Sequence, residues 1–192
     1  MPFGLTNSNL ITGAMLLSLV LVVVLAIVIE RRRRKSKALR ARFGSEYDRA
    51  LTTHGSQSKA EAGLAGRETR VSKMTIRELS TSERERFMAD WLTVQSRFVD
   101  HPKGAVTEAD ELVTSLLKAR GYPVAGFEQR AEDVSVDYPV VMENYRAAQA
   151  IAVRPGGGDA TTEELRTAMI HYRTIFDELI QVKKRDEVKS AA

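Results

Sequence analysis

Three histidines are the first residues to consider for chemistry, because imidazole binds metals and transfers protons near neutral pH. None of them has metal-ligand spacing to another; they are His54, His101 and His171. His101, together with Asp100 and Glu108, could be drawn as a metal site or an acid–base pair. A turn histidine beside solvated acids is the simpler interpretation, so the sequence predicts no metal site and no bound cofactor.

Other familiar catalytic patterns are missing from the sequence. The chain has no cysteine, which excludes disulfides, thiolate nucleophiles and cysteine-bound zinc. The three glycines at 156–158 are not followed by the Gly-Lys-Ser/Thr ending of a phosphate-binding loop. We therefore expect no catalytic residues and a protein that is not an enzyme. One alternative stays open, an enzyme with an unfamiliar site formed by His101, Glu108 and Tyr122.

The main charge feature is a cluster of cations with no acid among them, here called the basic collar. It contains eight residues: Arg31, Arg32, Arg33, Arg34, Lys35, Lys37, Arg40 and Arg42. The whole chain carries a formal net charge of +4, so the remainder is mildly acidic. A nucleic-acid binder spreads cations over a face and adds aromatic residues for stacking, so we expect no nucleic acid partner. The collar either contacts anionic lipid headgroups or only sets membrane topology.

The collar directly follows an apolar run over residues 10–29, interrupted only by Thr12, Gly13 and Ser18. Twenty residues of helix are about 30 Å long, which matches the hydrocarbon thickness of a bilayer. A cleaved signal peptide carries positive charge before its apolar stretch and a small-residue cleavage site after it. Here residues 1–9 have no charged side chain and arginines follow the run. The sequence therefore predicts an uncleaved transmembrane helix.

The position of the collar also predicts the orientation of that helix. Lysine and arginine in short flanking segments stay on the cytoplasmic side of the membrane. We expect a single-pass protein of the inner (cytoplasmic) membrane, with residues 1–9 outside and residues 31–192 in the cytoplasm. Ala14 and Ser18 have the small-xxx-small spacing that lets two spanning helices approach closely, so self-association through this helix is an open alternative.

The remaining segments show helical periodicity, and none shows sustained period-two alternation. The predicted fold is therefore all-α, with one N-terminal transmembrane helix followed by a small antiparallel helical bundle. Residues 30–73 are predicted to form a basic juxtamembrane and polar helical connector, with Ser45 to Lys73 loosely built. The bundle is predicted over residues 74–182 and a flexible tail over 183–192.

Local signals predict where several of these helices begin and end. Gly44 and Gly55 are predicted stops, and Ser45 a cap. Capping-box spacing predicts starts at Ser58/Glu61, Ser80/Glu83 and Thr161/Glu164, and Asp137 before Pro139 predicts another. The helix after Ser80 is broadly apolar, which predicts a largely buried element in which Met88, Leu92 and Val99 are also buried. The glycine-rich stretch from Pro155 to Gly158 predicts a flexible linker.

Several strings in the chain carry a resemblance to a known group of proteins. The strings are RFGSEYDRA at 42–50, QSRFVD at 95–100, GYPV at 121–124, FEQRA at 127–131, SVD at 135–137 and AMIHYR at 168–173. They resemble an uncharacterised bacterial family of small single-span proteins described as secreted or hypothetical. The resemblance implies an N-terminal anchor and a helical domain, and it implies no activity.

Together these features predict a membrane-tethered cytoplasmic α-helical module that binds another protein or a second copy of itself. The candidate contact residues are polar ones expected in turns between helices, namely Tyr47, Tyr122 and Gln129. A third possibility, besides the enzyme alternative, is a sensor of anionic lipid or stress that acts through the basic collar.

Overall fold

The computed structural model describes residues 7–123, 126–153 and 160–181 of the chain. Within these ranges every regular element is helical and there is no strand. The predicted N-terminal segment up to residue 6, the predicted linker from Pro155 to Gly158 and the predicted tail at 183–192 lie outside the described residues. The prediction of an all-α chain, with an apolar N-terminal helix followed by a helical domain, is confirmed.

The described ranges contain eight α-helices and one short 3₁₀ helix, Pro139–Val141. The α-helices are α1 (Asn7–Phe43), α2 (Ser45–His54), α3 (Gln57–Ser72), α4 (Thr81–Arg97), α5 (Pro102–Ala119), α6 (Phe127–Asp137), α7 (Met142–Ala152) and α8 (Thr162–Ile180). By their contacts the residues fall into two compact units, Met1–Ala41 and Arg42–Ala192, and each is described by itself.

The first unit consists of the apolar part of α1 and most of the basic collar. Every side chain from Thr12 to Lys35 is exposed. The helix is long and apolar enough to cross a membrane, and none of its most apolar 18-residue window is buried in protein. A core helix of a soluble protein would have this window covered by other elements, so that interpretation does not fit α1.

The second unit has one main hydrophobic cluster, built by α4 to α8. The largest fully buried members come from three of these helices: Leu116, Leu117, Met142, Tyr145 and Tyr172. Helix α8 packs against both α5 and α7, and α4 packs against α5. Trp91 of α4 also stacks on Phe176 of α8, with ring centroids 4.8 Å apart. Helical periodicity of large apolar residues is therefore what assembles this part of the fold.

Helices α2 and α3 pack on each other, and α3 also packs against α6; we call residues 45–72 the α2–α3 hairpin. Its buried residues include Tyr47, Ala50, Leu64 and Val71. The segment predicted as a connector is therefore helical and packed against α6, and its loose build stays a prediction. Two glycines in α3 suggested weakness, but at Gly63 a Cβ would lie 3.0 Å from Nε2 of His54, so this glycine allows close packing.

Most of the predicted helix ends are confirmed. Helix α1 ends at Phe43 before Gly44, whose φ is +53°, and Gly55 ends α2 in the left-handed region. Both side-chain bonds of the capping box are present at Ser80/Glu83 and at Thr161/Glu164.

Two predicted caps are wrong by one or two residues. Ser45 is the first residue of α2, and the N-cap position is taken by Gly44 without a side-chain bond. Helix α3 starts earlier than Ser58, because the hydroxyl of Ser56 accepts the N–H of Lys59 and acts as its cap.

Helix α6 was not predicted, and the role given to Asp137 is wrong. Asp137 is the last residue of α6 and does not begin the next helix. Helix α6 starts at Phe127, and its N-cap residue Gly126 has no side chain to cap it, so the usual sequence signal for a helix start is missing there. Pro139 opens the 3₁₀ turn that leads into α7.

Helix α4 is buried on one face only, which corrects the prediction of a largely buried element. Phe87, Trp91 and Val94 face the core. On the other side Met88 and Leu92 are 52% and 65% exposed, and we call these two residues the α4 apolar face. Val99, which follows the end of the helix, is 83% exposed. No element among the described residues covers the α4 apolar face.

Two backbone-level contacts secure the C-terminal end of α5. The N–H of Arg77 donates to the carbonyl of Arg120 at 2.9 Å. Gly121 has a φ of +98°, and a Cβ there would lie 2.2 Å from the carbonyl oxygen of Thr75.

The buried guanidinium of Arg120 donates through Nη1 to the carbonyl of Leu179 at 2.5 Å and so caps the end of α8.

Candidate functional site

The basic collar is the one site that the sequence predicts directly. All eight of its side chains are exposed. Nε of Arg34 donates to Oε1 of Glu30 one turn earlier at 2.9 Å, and Nη1 of Arg42 pairs with Oε1 of Glu68 at 2.7 Å. Exposed cations at one end of an apolar helix are arranged to contact anionic headgroups or phosphates.

A second charged site lies inside the second unit, and the sequence did not predict it. We call it the ion-pair network, and it joins α2 and α3 to α6 and α7 through Glu46, Arg67, Arg70, Glu128, Glu132, Asp133 and Arg146. Two of its carboxylates are almost fully buried, Glu46 at 3% and Asp133 at 2% exposed. Charges this deep are tolerated only when partners surround them.

Glu46 is the centre of the network, because two arginines reach its carboxylate from different helices. Arg67 donates from Nη1 to Oε2 at 3.1 Å. Arg146 donates from Nε to Oε1 at 2.8 Å and from Nη2 to Oε2 at 3.2 Å. Burial alone would raise the pKa of Glu46, but the bonds from Arg146 and Arg67 hold that pKa below its ordinary value. The carboxylate is therefore charged at neutral pH.

The outer part of the network connects α3 to α6. Nη2 of Arg67 donates to Oε1 of Glu132 at 3.2 Å. Arg70 donates from Nε to Oδ1 of Asp133 at 2.7 Å and from Nη2 to Oε2 of Glu132 at 3.2 Å. The side-chain amide of Gln129 also donates to Asp133. The arginines and their carboxylate partners are 62 to 65 residues apart in the chain, so sequence spacing alone cannot pair them.

Two buried tyrosines form a third polar group between α5, α6, α7 and α8. Nε of Arg130 donates to the hydroxyl of Tyr145 at 2.6 Å. The hydroxyl of Tyr172 contacts Oδ1 of Asp110 at 3.1 Å and Oε1 of Gln149 at 3.3 Å. Burial raises the pKa of Tyr145 to about 12, and burial followed by the charge of Asp110 raises the pKa of Tyr172. Both phenols are therefore neutral at physiological pH.

The structure does not bring together His101, Glu108 and Tyr122, the residues of the alternative enzyme site. His101 precedes α5 and Tyr122 follows it, and an 18-residue helix is about 27 Å long. Glu108 pairs with Nη1 of Arg97 at 2.8 Å. The geometry therefore gives this site no support. His171, the third histidine considered at the start, lies on α8 with Nδ1 2.7 Å from Oδ1 of Asn144.

Two of the three candidate contact residues are buried, and only Tyr122 lies between two helices as predicted. Tyr47 lies in α2, and its hydroxyl donates to Oε1 of Glu61 at 3.0 Å. Tyr122 is buried and donates to Oδ2 of Asp137 at 2.6 Å; burial, then the charge of Asp137, raises its pKa. Gln129 is partly buried in α6. Aromatic residues next to turns were taken for surface residues because sequence does not show which face they occupy.

A shallow groove of about 610 Å³ runs between α4, α5 and the segment that precedes α4. Its polar lining is of mixed charge: Arg77, Glu83, Arg86, Asp90 and Lys118. Arg77 pairs with Glu83 at 2.6 Å, and this bond lowers the pKa of Glu83 to about 2.

Neither a metal centre nor a relative adds a further assignment. Among the described residues no group of three or more His, Cys, Asp or Glu side chains is arranged to hold a metal ion. Comparison of the chain with protein-family models, curated proteins and solved structures finds no match. The resemblance to a family of small single-span proteins therefore stays a prediction from the sequence.

Proposed function

We propose that the chain is a single-pass protein of the inner (cytoplasmic) membrane whose helical domain binds another protein at the cytoplasmic face. The observation that carries this proposal is an apolar helix segment with every side chain exposed from Thr12 to Ile29, followed at once by exposed cations. Thirteen large apolar side chains are exposed between Met15 and Ile29. In water this exposure would be strongly unfavourable, and a bilayer removes that penalty.

The orientation in this proposal rests on the basic collar. Moving a charge outward against the membrane potential requires about 2.3 kcal/mol per 100 mV. Eight cations that follow the apolar helix within a dozen residues therefore favour a cytoplasmic domain. The same side chains are exposed and contact anionic lipid headgroups in this arrangement.

The α4 apolar face supports the second half of the proposal, the binding of a protein. Met88 and Leu92 lie one turn apart on a helix whose opposite side is already packed in the core. This face is small compared with a standard interface of about 800 Å² per partner. Tethering to a membrane raises the effective concentration of two domains, so a small face is sufficient there.

Single cysteines test the topology, because the native chain contains none. We place one at Ser8→Cys, before the apolar run, and one at Ser96→Cys, on the exposed side of α4. A membrane-impermeant maleimide added to intact cells should label the first variant and should label the second only after permeabilisation. Labelling of Ser96→Cys in intact cells would place the domain outside and overturn the orientation.

A photocross-linking residue at Leu92 tests the binding half, with the exposed position Glu143 of α7 as the matched control. At native expression the Leu92 probe should give one reproducible adduct, identified by mass spectrometry. The Met88→Glu substitution should abolish that adduct, because it places a charge in the apolar contact. Equal adducts from both positions, or none from Leu92, would contradict the proposal.

A lipid-sensing role is favoured by one specific observation, the exposure of all eight collar side chains. Its test uses the full chain in nanodiscs and the rate of tryptic cleavage within residues 31–42. Anionic discs should slow cleavage relative to zwitterionic discs at low salt, and high salt should remove the difference because surface charges are screened. Equal cleavage rates in both kinds of disc would exclude this role.

A further inference from the structure

We infer that the α2–α3 hairpin opens from α6 and α7 as one unit while the α4–α8 core stays packed. The ion-pair network is the contact that holds it closed. This opening takes place inside the domain, so it requires neither the proposed membrane orientation nor a protein partner.

The first support is the separation of the apolar residues into two groups. The main hydrophobic cluster draws all its members from residue 79 onward. The buried apolar residues of the hairpin, which include Ala50, Ala60, Leu64 and Val71, are not members of that cluster. The hairpin can therefore separate from α6 and α7 while the main hydrophobic cluster, which holds most of the apolar contacts, stays intact.

The second support is the charge complementarity of the contact between the hairpin and α6. The hairpin contributes the cations of Arg49, Arg67 and Arg70, and α6 contributes the carboxylates of Glu128, Glu132 and Asp133. In one pair the charges are reversed, because the hairpin contributes the carboxylate of Glu46 and α7 contributes the cation of Arg146. When an ion pair separates into water, hydration of the two ions offsets much of the Coulomb attraction that is lost. Exposing apolar surface to water has no comparable offset. A contact made largely of ion pairs therefore opens at a lower free-energy cost than an apolar contact.

The third support is that non-helical residues flank the hairpin at both ends. Gly44, with φ +53° and no atom within 4 Å of a Cβ built on it, separates α1 from α2. At the other end α3 stops at Ser72, and residues 75–80 are not helical. Met74 and Ile76 pack against the main cluster, so this segment stays with the core. At this end of the hairpin the opening point is therefore close to Lys73, between α3 and the segment that stays with the core.

The test is hydrogen–deuterium exchange with mass spectrometry on the full chain in nanodiscs. The variant Glu46→Gln removes the shared carboxylate partner of Arg67, which is buried, and of Arg146, which is partly buried. Its matched control is Glu163→Gln on α8, which removes an exposed pair with Arg166. We expect amides in residues 45–72 of Glu46→Gln to exchange at least about tenfold faster, which corresponds to about 1.4 kcal/mol. Amides of α5 and α8 should keep the wild-type rate, and the control should match wild type throughout.

Equal acceleration of the hairpin and of α8 would show one cooperative unit and would overturn the inference, as would an unchanged hairpin. A wild-type measurement covers the case in which Glu46→Gln does not fold. In low urea the hairpin amides should exchange through an opening with a smaller urea dependence than the amides of α5 and α8, because less surface becomes exposed. The same urea dependence in all three helices would overturn the inference.

Discussion

Glu46 illustrates how much of this domain depends on single buried polar side chains. Its carboxylate accepts hydrogen bonds from α3 and α7 while it lies in α2. The sequence around it shows an acidic residue at the start of a short helix, which is usual at that position. Nothing local indicates that a partner lies 100 residues away. Long-range pairing of charges is therefore the part of the site that sequence reasoning could not reach.

Gly121 is a residue whose replacement should damage the domain. We predict that Gly121→Ala lowers the free energy of unfolding by at least about 2 kcal/mol. The position has φ +98°, and the new Cβ would lie 2.2 Å from the carbonyl oxygen of Thr75. Urea unfolding monitored by fluorescence of Trp91, the only tryptophan, measures the change.

The control for that substitution is Gly104→Ala, at a glycine inside α5. There a Cβ meets only Cβ of His101 at an ordinary 3.9 Å. Alanine is the better helix former by about 1 kcal/mol, so this variant should be as stable as wild type or more stable. Similar losses in the two variants would contradict the explanation from backbone geometry.

The buried phenols predict the behaviour of the domain at high pH. Burial and neighbouring carboxylates raise the pKa of Tyr122 and Tyr172 above the ordinary 10.0, and burial raises that of Tyr145 to about 12. Because the folded pKa is the higher one, the stabilising contribution is complete below pH 10 and is lost as the pH rises further. We expect these phenols to ionise together with loss of helical circular dichroism in an alkaline titration. Ionisation near pH 10 with full helical content would contradict this.

At the scale of elements, signals confined to a few residues predicted well. The capping boxes before α4 and α8 need only four consecutive residues, and both are present. Helix α6 lacks a side-chain cap, and it was missed. The exposed side of α4 was also missed, because periodicity shows how many apolar residues share a helix but not which neighbours cover them. Local chemistry thus predicted helix ends, whereas coverage depends on the whole assembly.

The start of α4 gives a prediction for one element. Replacing Ser80 by alanine removes the hydroxyl that accepts the N–H of Glu83 at 3.2 Å. We expect Ser80→Ala to lower the free energy of unfolding by about 1 kcal/mol, the usual value for a lost N-cap. Ser96→Ala, at an exposed position in the last turn of the same helix, is the control and should change stability little. Urea unfolding followed at Trp91 compares them, and equal values for both variants would argue against a stabilising capping box.

At the scale of the whole domain, the ion-pair network makes the α2–α3 hairpin sensitive to acid. The folded pKa of Glu46 lies below its ordinary value of 4.5. Its stabilising contribution is therefore present above pH 4.5 and is lost as the pH falls from there toward the folded pKa. We predict that hydrogen-exchange protection factors in residues 45–72, corrected for the intrinsic pH dependence, decrease in this range while those of α8 change less. Glu46→Gln should show a weaker acid dependence, and an equal one in wild type and variant would contradict the assignment.

The bond from Arg120 to the carbonyl of Leu179 has a practical consequence for shortening or extending the protein. The guanidinium of Arg120 is buried, and it donates to the carbonyls of Leu179 and Gln181. A truncation that ends before Leu179 would therefore leave a buried cation without these acceptors. A reporter or affinity tag joined after Ala192 leaves both acceptor carbonyls, those of Leu179 and Gln181, in place. Fusions at that end should therefore be tolerated, whereas trimming into the last turn of α8 should yield aggregated material.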